Sequence, residues 1–169
     1  MTEIRIYFEG DKALRRGFSQ FLAPIKEVAS KRRVRFELVA GNATAEADSR
    51  TAQKHHRDAV NILLKDSDGP DPAPKESVYW MVQLMEAWFL ADPEALAGYY
   101  RDGFMRNALK PNPRVEEIPK ADVLECLKQA TRKTQKGAYH KTRHAPDILA
   151  LLGPDQVRKA APNCDLLFQ

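Results

Sequence analysis

Hydrophobic and polar positions in the first half of the chain follow two different periods, which predicts alternating strands and helices. Three short runs rich in β-branched and aromatic residues are predicted to be strands, at Ile4–Phe8, Val34–Val39 and Ala59–Leu64. The third run is almost continuously apolar, as expected for a strand buried on both faces. Between the runs, residues 11–29 have helical spacing interrupted by a proline, and the polar segment 44–57 is expected to form a surface helix.

The second half of the chain is predicted to be mainly helical. After a loop at 66–75 with three prolines and a glycine, residues 78–83 are expected to form a fourth strand. Short helices are predicted at 85–91, 93–100, 122–131, 146–152 and 154–160, with a proline-rich loop at 110–119. This order predicts an α/β fold in which helices cover a mostly parallel sheet. We expect a single domain over residues 1–169, with a core at about 1–105 and a helical C-terminal cap at about 106–169.

Composition narrows the class of protein without identifying it. The chain has 169 residues, a net charge of +4 and 43% hydrophobic residues, which is typical of one globular domain. No apolar run approaches the roughly 20 residues of a membrane span, and charged residues interrupt the N-terminus where a signal peptide needs an apolar core. We therefore expect a cytoplasmic protein without membrane association. The two cysteines, Cys126 and Cys164, are too far apart for a CxxC motif.

Three carboxylates follow two of the predicted strands, at the point where each strand ends. Glu9 comes directly after the first strand, and Asp66 and Asp68 come after the third. Because open parallel sheets bind ligands at the carboxyl ends of their strands, these side chains are expected to converge. A hard cation such as Mg²⁺, which prefers oxygen ligands, would relieve their mutual repulsion. Such acids also commonly cap the next helix, and that interpretation stays open for each of them taken singly.

The segment from Asp66 to Asp71 also resembles two unrelated motifs. An EF-hand calcium loop is excluded, because its fifth and sixth positions would be Pro70 and Asp71 instead of an oxygen ligand and a glycine. A phosphatase of the haloacid dehalogenase type would use Asp66 as a phosphoryl-accepting nucleophile. That interpretation leaves the Glu9-Gly10 pair without a role, and it is kept as a third hypothesis.

The glutamate–glycine pair after one strand and the Asp-x-Asp pair after a later strand resemble the signature of the Toprim domain. Over nearly its whole length the chain more narrowly resembles a small Toprim-like family, domain of unknown function 4276, related to OLD-family and RloB-type Toprim nucleases. The resemblance implies a Toprim-like, Rossmann-like sheet between helices. Its most specific part is the string MEAWFLAD, and the segments that carry it are Phe8–Gly10, Leu63–Asp68, Met81–Asp92, Ile118–Asp122 and 139–145.

The resemblance implies roles for four acidic residues. Glu9 would be the general base or a metal ligand, and Asp66 and Asp68 would hold Mg²⁺ or Mn²⁺. Glu86 is a further candidate catalytic residue, since OLD-type nucleases carry additional acids for a second metal. Alternatively, Glu86 is simply the polar position of an apolar helix. The chain departs from the family pattern in a short first loop after Gly10, and in an aspartate, Asp68, where a glutamate is common.

The segment between Glu125 and Asp147 contains no acidic residue and is more basic than the chain average. Such a run neutralises phosphates and releases counterions when it binds a nucleic acid. We predict nucleic-acid or phosphate contacts there for Lys133, Lys136, Tyr139, Lys141, Arg143 and His144. Partly from the family resemblance, the members expected nearest the acidic site are Lys133, Tyr139, Lys141 and His144. A solvated helix end fits the pattern equally well, and Tyr139 and His144 are also suited to fixing the cap by packing.

These observations predict Mg²⁺-dependent hydrolysis of phosphodiester bonds in DNA or RNA by a Toprim nuclease. The resemblance further implies an ATPase partner of the AAA or ABC type and a role in bacterial defence against phage. The alternative, from a different class, is a non-catalytic Toprim-like subunit that binds an ATPase partner or nucleic acid. Small size and a short first loop favour this alternative somewhat. Assembly into a homo-oligomer is compatible with either hypothesis.

Overall fold

The computed structural model describes residues 2–169 and has an α/β architecture. Four strands form one sheet: β1 at Glu3–Glu9, β2 at Arg35–Gly41, β3 at Ala59–Asp66 and β4 at Val78–Met81. Their order across the sheet is β2-β1-β3-β4, and each neighbouring pair is parallel. The predicted α/β class and parallel sheet are therefore confirmed.

Helices connect the first three strands and cover the sheet, whereas a loop joins β3 to β4. In the first part of the chain they are α1 (Lys12–Phe21), α2 (Ala23–Lys31), α3 (Ala45–His55), α4 (Ala87–Leu90) and α5 (Pro93–Tyr100). Two short 3-10 turns, at Arg106–Ala108 and Val115–Glu117, then lead to α6 (Lys120–Thr131), α7 (Lys141–Leu151), α8 (Pro154–Ala160) and α9 (Pro162–Phe168). Among residues 2–169, no helix combines the length and the apolar character needed to cross a bilayer.

Alternating residues of the strands divide the core between the two faces of the sheet. Ile6 and Phe8 of β1 belong to the larger hydrophobic cluster, on the face covered by α1. Tyr7, between them, packs with Leu63 of β3 against α3 on the opposite face. The helices after residue 105 contribute buried side chains such as Ile148 to the larger cluster. The cap and the sheet therefore share one hydrophobic core.

The crossing of α1 and α7 is close enough to require a glycine. A Cβ atom at Gly17 would lie 2.6 Å from the carbonyl oxygen of Pro146 and 3.2 Å from the Cβ atom of Leu149. Glycine therefore allows the approach, although it weakens a helix by about 1 kcal/mol relative to alanine. The neighbouring Arg16 forms a 2.6 Å ion pair with Asp147 across the same crossing. These contacts hold the start of α7 near the carboxyl ends of the strands.

The boundaries of the elements differ from the sequence prediction mainly in the cap. α7 begins at Lys141 instead of at residue 146, because the His140 side chain caps its first turn and Pro146 is accommodated inside the helix. That proline costs one backbone hydrogen bond. The sequence also did not predict α9, and it placed the end of β4 two residues too late. The expected break at Pro24 is confirmed, since this residue lies in the first turn of α2.

Candidate functional site

A cleft opens at the carboxyl ends of β1 and β3, the two central strands of the sheet. The chain leaves β1 towards β2 on one side and reaches β3 on the other, so the cleft lies at the topological switch point of the sheet. It has a volume of about 190 Å³, and its polar lining residues are Glu9, Lys65, Asp66, Asp68 and Lys141. The three carboxylates whose positions in the sequence predicted a common site therefore line one cleft.

Glu9 is the last residue of β1, and it is exposed. Its Oε1 atom accepts a 3.0 Å hydrogen bond from the backbone N–H of Ala45, the first residue of α3. This contact satisfies one of the free N–H groups at the start of α3, where the helix dipole also favours a negative charge. Glu9 therefore caps α3, whereas the structural alternative expected such an acid to cap the next helix, α1, which Asp11 caps instead. Capping uses one carboxylate oxygen, so it is compatible with a second role in the cleft.

Asp66 ends β3 with a quarter of its side chain, 25%, exposed. Its Oδ1 atom accepts a 2.8 Å hydrogen bond from the backbone N–H of Met85, and its Oδ2 atom lies 4.0 Å from Nζ of Lys141. Burial raises the pKa of Asp66 to about 6, an effect that Lys141 opposes and that nearby Glu86 reinforces. Asp66 is therefore largely ionised at neutral pH but accepts a proton readily, as is common for groups in functional sites.

Asp68 lies in the turn after β3 and is held by contacts with α6. Its backbone is left-handed, with φ of 58°, and its N–H donates a 2.8 Å hydrogen bond to the carbonyl oxygen of Gln83. The Asp68 carboxylate forms an ion pair with Lys120, and this hydrogen bond raises the pKa of Lys120. The Gln83 side chain accepts a 3.1 Å hydrogen bond from the backbone N–H of Lys120. Gln83 therefore holds the backbones of both Asp68 and Lys120, the two partners of the ion pair. Sequence reasoning gave Lys120 no role in the site, although the segment Ile118–Asp122 was among those that carry the family resemblance.

Glu86 is only 1% exposed, although it directly precedes the short helix α4. Its Oε1 atom accepts a 2.9 Å hydrogen bond from the Tyr139 hydroxyl and lies 3.9 Å from Nζ of Lys141. Its Oε2 atom is buried and has no hydrogen-bond partner within residues 2–169. Burying a carboxylate oxygen without a partner is costly, which is more typical of a functional site than of a polar position on a helix. The single ammonium group of Lys141 thus forms ion pairs with both Glu86 and Asp66.

Two residues of the predicted basic segment, Tyr139 and Lys141, reach the carboxylates. Burial and the neighbouring Glu86 raise the pKa of Tyr139 far above its ordinary value, so its hydroxyl remains a donor at any physiological pH. The hydroxyl group therefore holds Glu86 in position. Lys133 and Arg143 are exposed and form no ion pair within the described range, and their phosphate contacts stay predictions.

The rest of the basic segment packs around aromatic residues of α5. Nζ of Lys136 lies 4.9 Å from the ring centre of Tyr99. The Nδ1 atom of the buried His144 accepts a 3.1 Å hydrogen bond from the backbone N–H of His140 and lies 3.0 Å from the hydroxyl oxygen of Tyr100. Burial lowers the pKa of His144, which is therefore neutral at pH 7. The structure places His144 in contacts that fix the start of α7, and none of these contacts is to a carboxylate.

The donor chemistry of the cleft fits a hard divalent cation such as Mg²⁺. Its acidic residues supply only oxygen atoms, and the buried Oε2 atom of Glu86 lacks a partner. In the part of the chain that the structure describes, however, no three carboxylate, imidazole or thiol groups lie close enough together to form a ready-made metal site. Lys120 engages Asp68, and Lys141 lies beside both Asp66 and Glu86. A cation that binds here would compete with these two ammonium groups.

Comparisons with known proteins assign a family to the chain. No curated protein and no solved structure gives a match. A family model described as a domain of unknown function, DUF4276, matches residues 10–169. The matched region includes Asp66, Glu86, Lys120 and Lys141, whereas Glu9 directly precedes it. Because the match covers almost the entire sequence, the chain belongs to the DUF4276 family.

Proposed function

We propose that this protein is a metal-dependent phosphodiesterase that hydrolyses nucleic acid at the cleft between β1 and β3. The observation that carries the proposal is that Lys141 contacts both Asp66 and the buried Glu86 at the switch point of a parallel sheet. Of these two carboxyl groups, Asp66 has a pKa raised to about 6, which is common in functional sites. The resemblance of the Glu9-Gly10 and Asp-x-Asp pairs to the Toprim signature supports the same activity, because related OLD-family and RloB-type proteins are nucleases.

The acidic residues would hold Mg²⁺ or Mn²⁺. Asp66 and Asp68 are the first choice of ligands, and Glu9 or Glu86 would complete the set. When bound, the metal would stabilise negative charge on the phosphate and lower the pKa of a water molecule. Asp66 must lose its proton to act as a ligand, so its pKa of about 6 keeps it competent at neutral pH.

The protein's own groups perform three further tasks in the proposed reaction. Lys120 and Lys141 contact carboxylates at the cleft and are positioned to bind phosphate oxygens when those contacts open. A lysine in that position stabilises the charge that develops on phosphorus in the transition state. Glu9, exposed at the rim, is suited to accept a proton from the attacking water. Tyr139 orients Glu86 and takes no part in proton transfer.

The proposal is tested by incubating labelled DNA and RNA with the protein and Mg²⁺ or Mn²⁺. We expect cleavage that EDTA abolishes and that falls by about 100-fold or more in Asp66→Asn and Glu86→Gln. Asp58→Asn is the matched control, because Asp58 is exposed and precedes β3, at the opposite end of the sheet from Asp66. Circular dichroism confirms that each variant is folded. Cleavage at the wild-type rate in both site variants contradicts the proposal.

A second candidate is a non-catalytic, cytoplasmic subunit that works only with an ATPase partner of the AAA or ABC type, in defence against phage. The favouring observation is that Lys120 and Lys141 already pair with the carboxylates, and residues 2–169 contain no ready-made metal site. Calorimetric titration with Mg²⁺ and Mn²⁺ distinguishes the candidates. Binding that disappears when both Asp66 and Asp68 are changed to alanine supports the enzyme, and a wild type that binds neither ion supports the subunit.

A further inference from the structure

The distribution of charge along the chain distinguishes one segment from the rest. Residues 12–35 contain eight lysines and arginines and one glutamate, which leaves 19 of the 27 basic and 22 of the 23 acidic residues elsewhere. The net charge of +4 is therefore due to this segment alone. The segment forms α1, α2 and the start of β2, and these elements pack against one another.

All eight basic side chains of this segment are exposed. Three of them form ion pairs with acidic neighbours, namely Arg16, Lys31 and Arg35. The other five have no carboxylate within 4 Å anywhere in the range 2–169, so their charge is not locally neutralised. We call these five the α1–α2 basic face, and they are Lys12, Arg15, Lys26, Arg32 and Arg33.

A groove connects the α1–α2 basic face to the edge of the sheet. It encloses about 230 Å³, and Arg15, Lys26 and Arg35 line it together with residues of β2. One of those residues, Glu37, is acidic, but its carboxylate lies within 4.0 Å of the guanidinium group of Arg35. In the described sheet β2 pairs only with β1, so the backbone at its outer edge is free to bind other groups. Cationic side chains around a polar groove are suited to phosphate oxygens.

The α1–α2 basic face also begins at the candidate active site. Lys12 is the first residue of α1, three residues after Glu9, and Leu14 and Phe18 of the same helix line the acidic cleft. Arg15 projects from the side of α1 that faces the groove. Because α1 is about 15 Å long, a polyanion that follows it would pass from the groove at β2 to the cleft.

We propose that the α1–α2 basic face binds the phosphate backbone of a nucleic-acid strand and directs it into the cleft. This inference deepens the proposed function and rests on it for the identity of the polyanion. The binding itself requires neither a metal nor cleavage. Lys141, from the basic segment predicted by the sequence, acts at the cleft, whereas the basic face holds the strand on its approach.

Fluorescence anisotropy with fluorescein-labelled DNA of about 20 nucleotides, single- and double-stranded, in EDTA tests this inference. The variant Lys12→Gln/Arg15→Gln/Lys26→Gln removes three charges from the basic face. We expect at least a 10-fold loss of affinity, and a slope of log K against log salt that is smaller by roughly 2 to 3 between about 50 and 200 mM. The matched control removes three charges from cations that are paired with carboxylates, in Arg106→Gln/Lys110→Gln/Arg114→Gln. Its affinity should stay near the wild-type value.

The inference is overturned if the wild type does not bind DNA, or if the basic-face variant binds DNA as well as the wild type. It is also overturned if the variant and its control lose equal affinity. A fourth contrary outcome is a basic-face variant that keeps its DNA binding but loses the binding of the wild type to vesicles of anionic lipid. The last outcome would identify a membrane surface instead. The two proposals fail separately. A wild type that binds DNA through the basic face but never cleaves it refutes the proposed function alone. A basic-face variant that cleaves and binds DNA like the wild type refutes this inference alone.

Discussion

The Tyr139 hydroxyl donates a 2.9 Å hydrogen bond to Oε1 of Glu86, and both side chains are buried. The two residues are 53 positions apart, one in the strand–helix core and the other in the cap. The Oε2 atom of Glu86 has no partner within residues 2–169, so Tyr139 and Lys141 determine how this carboxylate faces Asp66. An acid of the core is therefore positioned by a residue of the cap.

Removing the Tyr139 hydroxyl should destabilise the fold. We expect Tyr139→Phe to lower the free energy of unfolding by about 1–3 kcal/mol, because a buried carboxylate oxygen loses its donor. Urea denaturation measures this loss. Tyr79→Phe, which removes a hydroxyl from a half-buried tyrosine of β4, is the matched control and should change stability by less than about 0.5 kcal/mol. Equal effects of the two substitutions would show that the contact with Glu86 contributes nothing.

The raised pKa of Asp66 makes the stability of the metal-free protein depend on pH. The pKa is about 6 in the folded chain against an ordinary 3.8, so between these values the folded state binds the proton more tightly. The stabilisation is complete below about pH 4 and is lost as the pH rises through 6, by up to about 3 kcal/mol. Denaturation between pH 4 and 8 should show this decrease in the wild type and in Asp58→Asn. Asp66→Asn should lack it, and the same decrease in that variant would assign it to another group.

Lys141 is expected to control the ionisation of Asp66. Its positive charge lowers the pKa of that carboxyl, so Lys141→Met should raise the pKa of Asp66 above about 6. Titration of the side-chain carboxyl by NMR measures the shift. Lys136→Met is the matched control, because its ammonium group lies over the ring of Tyr99. An unchanged pKa of Asp66 in Lys141→Met would mean that the two groups do not interact in solution.

The sequence predicted the part of the site that depends on strand ends. Two short apolar runs rich in strand-forming residues identified β1 and β3, and a parallel sheet brings the carboxyl ends of its strands to one edge, so Glu9 and Asp66 could be placed together. The sequence alone could not show that Glu9 caps α3, because a helix cap and a metal ligand both require an acidic side chain at this position. The contact with the Ala45 N–H establishes the cap, and because it uses only one carboxylate oxygen it leaves the role of a ligand open.

The part of the site that comes from the cap could not be predicted in the same way. Lys120 reaches Asp68 from 52 residues away, and its approach depends on how Gln83 anchors the start of α6. α7 begins at Lys141, which brings this residue to the cleft. The sequence prediction started the helix at Pro146 instead, because proline usually lies in the first turn of a helix. The close crossing at Gly17 depends on tertiary packing, which local propensity does not encode.

Asp92, the last residue of the string MEAWFLAD, has a structural role. Its Oδ1 atom accepts a 3.1 Å hydrogen bond from the Ala95 N–H and caps α5, and its Oδ2 atom accepts a 2.8 Å bond from the Gly153 N–H. We expect Asp92→Ala to cost about 2 kcal/mol of stability, and Asp92→Asn, which keeps one acceptor, to cost less. Urea denaturation provides the values. DNA affinity in EDTA should not change, and a loss of affinity without a loss of stability would place Asp92 in the binding surface.

Alanine should not be tolerated at Gly17, although it favours helices. The new Cβ atom would collide with the Pro146 carbonyl oxygen, so Gly17→Ala is expected to destabilise the protein by about 1–3 kcal/mol. Gly98→Ala in α5 is the matched control, because the added Cβ atom would meet nothing within 4 Å, and it should stabilise the fold by up to about 1 kcal/mol. Thermal unfolding of the two variants gives opposite shifts if α1 and α7 pack as described.

The contacts of the cleft set a charge balance between core and cap. The core supplies four carboxylates, from Glu9, Asp66, Asp68 and Glu86, whereas the cap supplies two ammonium groups, from Lys120 and Lys141. Lys65 does not alter the balance, because Glu46 pairs with it at 3.1 Å. The formal sum is an excess of two negative charges, which one divalent ion would neutralise. Protonation of Asp66 below about pH 6 would halve that excess, so the attraction of the cleft for cations would follow the proton on a single side chain.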